Sequence, residues 1–148
     1  MEALTPRFQF PFLSVSQAQK EITHNEAISA IDNLLHPTIV GQLATPPSLL
    51  SADAGKCWLV VAVPTGAWSN HQGDLACWTG DGWRFHPPVE GMCVWDQQLS
   101  LRILFRSGNW HIATSIADPS GGTTVDVEVR ATLSALLQQL RNIGVIDS

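Results

Sequence analysis

Between Lys56 and Ala113 the chain has no apolar run long enough for a helix, and each short run is closed by glycine, proline or a polar turn. Cys57 to Val63 is continuous, apolar and rich in β-branched residues, bounded by Gly55 and by Pro64-Thr65-Gly66, which predicts a strand. Leu75 to Thr79 and Trp83 to His86 flank Gly80-Asp81-Gly82, where aspartate and glycine tolerate the positive φ of a hairpin turn. The arrangement returns as Leu101 to Arg106, Ser107-Gly108-Asn109 and Trp110 to Thr114. Aligning Cys77–Phe85 with Leu104–Ile112 leaves a difference of one residue in the turn, so two related hairpins are expected. With a further strand over Gly91 to Asp96, these segments predict a small antiparallel sheet or partly open barrel of about five or six strands.

Helical patterns lie on either side, so the fold class expected is α+β. Ser16 followed by Gln19 is a capping-box pattern, and Ile22, Ile28, Ile31, Leu34 and Leu35 then recur at roughly helical spacing until His36-Pro37. The opposite flank carries Gln17, Gln19, Lys20, Glu21, His24, Asn25, Glu26 and Asp32. That flank is either a solvated face or a polar docking surface, with Gln17, Lys20, His24 and Asn25 as the contacts. Ahead of the helix, Pro6 and Pro11 among Phe8, Phe10, Phe12 and Leu13 predict an extended arm that buries its rings on its own domain or on a neighbouring subunit. Between helix and strands, Pro37 to Ala54 reads as loop with a short strand at Thr38 to Leu43.

Asp118-Pro119-Ser120-Gly121-Gly122-Thr123-Thr124 reads as a flexible connector to a second helix capped by Asp126. Val129, Leu133, Leu136, Leu140 and Ile143 follow at steps of four, three, four and three, a heptad seam, and Gly144 is placed to stop it in a left-handed cap. The helix either crosses the chain's own sheet or joins identical helices in a short bundle, and the connector ahead of it favours the second. Three copies are favoured, with five as the alternative. The division expected is 1–15 arm, 16–115 helix and β domain, 116–125 linker, and 126–148 oligomerisation helix.

Charged residues are 14% of the chain against 45% hydrophobic, below the roughly 25% charged of ordinary soluble domains. A surface so sparsely charged is expected to be covered by a partner. A net charge of −5 with scattered Lys and Arg argues against nucleic acid, and no apolar run is long enough to insert into a membrane. The start, Met1 to Arg7, lacks the pattern of a signal peptide, so synthesis in the cytoplasm is expected. Cys57, Cys77 and Cys93 form no metal-type pair and are expected to be small buried strand residues, not a disulfide set.

Chemistry-bearing patterns are sparse. No Walker or dinucleotide glycine pattern occurs, and neither Ser69 nor Ser107 stands in a nucleophile elbow, so no enzyme activity, cofactor or metal is expected. Trp58, Trp68, Trp78, Trp83, Trp95 and Trp110 cluster in the strand region. Most should be core, each contributing on the order of 2 to 3 kcal/mol by burial, while alternation should expose one or two. Trp68, in a loop beside Asn70 and His71, is the candidate for stacking on a sugar ring of a host polysaccharide.

Several blocks resemble a known family. Thr5-Pro6-Arg7, Pro11-Phe12-Leu13, Gln17-Ala18-Gln19-Lys20-Glu21 and Thr23-His24-Asn25-Glu26-Ala27 resemble the opening signature of a family of uncharacterised domains of tailed phages, prophages and gene transfer agents. The likeness continues through Thr45-Pro46-Pro47, Gly55-Lys56-Cys57-Trp58, Thr65-Gly66-Ala67-Trp68 and Gly82-Trp83-Arg84-Phe85. The resemblance implies a structural component of a virion or virion-like particle, such as a head spike or tail fibre, partnered by other capsid, tail or spike proteins. It implies no catalytic activity.

Overall fold

Helix α1 (Lys20–Leu34) is followed at once by a ribbon whose two halves, β1 (Thr38–Ile39) and β2 (Gln42–Leu43), serve different sheets. The computed structural model describes residues 4–13, 20–123 and 126–147. The expected helix start at Ser16, with Gln17 and the Lys20 side chain, lies outside the described residues. Strand β2 pairs in parallel with β3 (Cys57–Val60), which continues antiparallel into β4 (Leu75–Trp78) and β5 (Trp83–His86). Strand β1 pairs in parallel with β6 (Cys93–Asp96), which continues into β7 (Leu101–Arg106) and β8 (Asn109–Ile112).

The fold is α+β, as expected, with no closed barrel. Its strands form two open four-stranded sheets instead of one sheet of five or six. The surplus is β1 and β2, two residues each and parallel to their neighbours, too short to carry a period. Each sheet repeats one plan, a short parallel strand beside an antiparallel three-stranded meander. The hairpin likeness in the sequence therefore extends to both whole sheets.

Ile39, Val94 and Ile103 from one sheet meet Cys57, Leu59, Leu75 and Cys77 from the other in a single buried cluster. Leu34 of α1 packs against it. The other face of β3, β4 and β5 holds a second cluster, Trp58, Val60, Trp68 and Ala76, flanked by Trp78, Trp83 and Phe85. Trp83 is its hub: Trp68, Trp78 and Trp58 meet it edge-on at ring-centroid distances of 5.0, 5.2 and 5.8 Å. Trp78 and Trp83 are direct cross-strand partners, the geometry in which side chains on one face interact most.

The cysteines depart from expectation. Register places Cys57 opposite Cys77 with Cα atoms 4.0 Å apart, and the two are joined as a disulfide. Linear spacing carries no register, which is why the pair is invisible before the strands are placed. In the other sheet Cys93 occupies the position equivalent to Cys57, but its partner position is held by Leu104, so its thiol is free.

Helix α2 (Val127–Asn142) begins where expected: Asp126 accepts the backbone N–H of Val129 at 2.9 Å. It ends in a Schellman motif, with the N–H of Val145 donating to Leu140 O and that of Gly144 to Arg141 O. Gly144 is required twice over. Its φ is +66°, and a Cβ would stand 2.6 Å from the Trp95 ring. The N–H of Arg102 donates to Gly144 O, which fastens the helix end to β7.

Candidate functional site

Residues 4–13 fold back on themselves in place of the expected extended arm. Leu4 and Pro11 form an antiparallel bridge, and the N–H of Thr5 donates to Phe10 O. Two α1 side chains compel the turn. The buried Asp32 carboxylate accepts from the Thr5 hydroxyl (2.6 Å) and from the N–H groups of Phe8 (2.7 Å) and Arg7 (3.1 Å). Asn25 exchanges two hydrogen bonds with the backbone of Leu13, its amide oxygen accepting at 2.9 Å and its nitrogen donating at 3.2 Å. Arg7 completes the latch by donating to the carbonyls of Asp32, Asn33 and His36, groups that a helix C-terminus leaves without partners.

Although Leu34 still packs on the core and Ile28 is half-buried, this latch divides α1 differently from expectation. Its fully buried residues are Asp32 and Asn33, because the layer beneath them is loop backbone that supplies hydrogen-bond donors and a guanidinium. Its apolar residues Ile31 and Leu35 are 48% and 60% exposed, and with Ala27 they lie at steps of four along one outward face. His24 stands on that face and is exposed. Asn25, expected to contact a partner, is committed to Leu13. No linear signal links Asp32 to Thr5, and apolar periodicity alone places Leu34 correctly but not Asp32, Ile31 or Leu35.

Helix α2 presents a second outward apolar face. One side is taken up by the chain's own connector: Leu137 is buried, Arg141 donates to Ile116 O and pairs with Asp118 at 3.7 Å, and Arg130 donates to Gly121 O. The seam lies roughly a quarter-turn away. Leu133 and Leu136 are 41% and 54% exposed, with Val129 and Ile143 also exposed and Leu140 half-buried. Its free flank carries the uncharged Thr132 and Gln139, and Glu128 borders the seam at the start of the helix.

Trp68 is not a surface platform. It ends a single 3-10 turn, Gly66–Trp68, fully buried beneath Trp83, because the loop folds over the outer face of β3–β5. None of the six tryptophans is exposed. Asn70 is exposed at φ +70°, whereas His71 stacks on Phe85 with centroids 3.5 Å apart and bonds Asp74 at 2.9 Å. The three candidate sugar contacts are therefore not brought together as one open surface.

Titratable groups are also dispersed. Burial pushes the pKa of His86 down, against the opposing pull of Asp74, and its Nε2 lies 3.2 Å from the Asn33 amide nitrogen. That contact is a hydrogen bond only with the ring neutral and Nε2 accepting. Among the described residues, no group of three or more His, Cys, Asp or Glu side chains is placed to hold a metal ion. No helix among them is long and apolar enough to cross a membrane.

The family described as a protein of unknown function (DUF2793) matches residues 24–111, which takes in both sheets and most of α1 and leaves α2 outside. No curated protein matches the chain.

Proposed function

The chain belongs to the DUF2793 family, and from that premise we propose that it is a homo-oligomeric structural module of a phage or gene-transfer-agent particle, seating a head spike or tail fibre. The observation that carries this reading is the state of α2. A helix of this length gains most of its stability from packing, yet one face is spent on its own connector while the adjacent seam of Val129, Leu133, Leu136 and Ile143 is left in water. Further copies of the same seam cover it best, with three favoured. The outward face of α1 then remains for another protein of the particle, which adds an apolar contact at Ala27, Ile31 and Leu35 to the exposed His24.

The Cys57–Cys77 disulfide supports a working life outside a reducing cytoplasm, since such bonds persist on extracellular particles and are kept reduced within cells. The phage link itself rests on the signature blocks described above. Light scattering of the purified chain is expected to give about three times its 16.1 kDa mass. Immunodetection is expected to find the chain on purified particles from a producing culture. A monomer at high concentration removes the assembly half of the proposal, and particles without the chain remove the other.

A further inference from the structure

Where the two sheets part, a cleft of about 400 Å³ opens between the β7–β8 turn and the end of β3. That size is within the range of small-molecule sites. Phe105 and Trp110 form its aromatic side, meeting edge-on with centroids 5.2 Å apart. The Trp110 indole N–H donates to Gly73 O at 2.8 Å, which fixes the ring across the two sheets before any ligand arrives. Amides of Gln42, Gln72 and Asn109 lie around it. Gln42 donates its nitrogen to Asp96 and Asn109 to Ser107 O, bonds that leave the amide oxygens as the remaining acceptors, while Gln72 is exposed and offers both polarities.

No lining residue carries a charge. Carboxylate and phosphate ligands are gripped by guanidinium or ammonium groups, and cations by carboxylates, so this lining fits neither. A purely apolar ligand would leave the amides unpaired wherever it desolvates them, which weakens binding. We propose that the cleft binds one or two rings of an uncharged saccharide, whose C–H face lies on the aromatic side and whose hydroxyls meet the amides. The site is independent of the helix seam and contains none of Trp68, Asn70 and His71, although Gln72 and Gly73 come from the end of the same loop.

Saturation-transfer NMR on the full chain tests this with methyl glycosides of glucose, galactose, mannose and N-acetylglucosamine, and with glucuronic acid as the charged probe. At least one neutral glycoside is expected to receive saturation on its ring C–H protons and to shift the Trp110 indole N–H resonance. A variant combining Gln72→Leu and Asn109→Leu, with its amide spectrum otherwise unchanged, is expected to bind about tenfold more weakly or worse. Three results each overturn the proposal: no saturation of any neutral glycoside, glucuronic acid bound as tightly as the best of them, or undiminished binding in the folded double variant. Oligomer mass measured on the same samples reports separately on the assembly reading.

Discussion

The buried carboxylate of Asp32 accepts the hydroxyl proton of Thr5 at 2.6 Å, joining residues 27 apart in sequence. With two backbone N–H groups on the same carboxylate, the contact decides which way α1 faces. Asp32→Leu strands those donors and is expected to lower unfolding free energy by about 3 kcal/mol, and Thr5→Val by about 1 kcal/mol. Urea titrations check both, and a change in Asp32→Leu no larger than that of an ordinary surface substitution would show the latch to be incidental.

Neighbouring leucines on α2 should behave in opposite ways. Leu133→Asp and Leu136→Asp face water in the single chain and are expected to abolish the oligomer while leaving the helical circular-dichroism signal of the sheet-bearing domain intact. Leu137→Ala removes a side chain buried on the connector and is expected to cost about 2 to 4 kcal/mol, read by thermal melting of monomer made with Leu133→Asp.

Reduction of the Cys57–Cys77 bond frees a loop spanning 20 residues, and chain entropy puts its contribution at about 3 kcal/mol. Cys57→Ser with Cys77→Ser is expected to lower the urea midpoint accordingly and to remove its response to dithiothreitol. Cys93→Ser, at the unpaired position, is expected to leave the midpoint where it was.

The downward shift of His86 makes stability dependent on pH in one direction. Its folded pKa lies below the unfolded value of 6.5, so the unfolded chain takes up the proton first on acidification. The contribution is therefore fully present above pH 6.5 and is lost as pH falls from there through the lowered folded pKa. Urea midpoints measured between about pH 7.5 and about pH 5.5 should decline in the wild type and decline less in His86→Gln. Equal slopes in the two proteins would contradict the assignment.

Local chemistry was the legible part. Asp126, Gly144 and the turns at Gly80-Asp81-Gly82 and Ser107-Gly108-Asn109 announce themselves because each satisfies a backbone requirement within a few residues. What failed depended on distant partners. Asp32 looked like a surface residue because Thr5, Arg7 and Phe8 are needed to explain its burial, and Ile31 and Leu35 looked like core for the same reason. Trp68 looked exposed because a loop residue usually is, and only the aromatic face of β3–β5 shows what it covers. Phe105 and Trp110 are strand residues, as their pattern predicts, but their cleft exists only once both sheets are in place.

The six residues Thr38 to Leu43 complete both sheets, one at Thr38–Ile39 and the other at Gln42–Leu43. Like a staple driven through two pages, they make the halves inseparable despite their shared plan. The sheet of β6, β7 and β8 cannot be excised with its fourth strand intact, because β2 to β5 lie between it and β1, and a single proteolytic nick between Ile39 and Gln42 would loosen both sheets at once. Engineers grafting this module onto another particle must therefore move it whole.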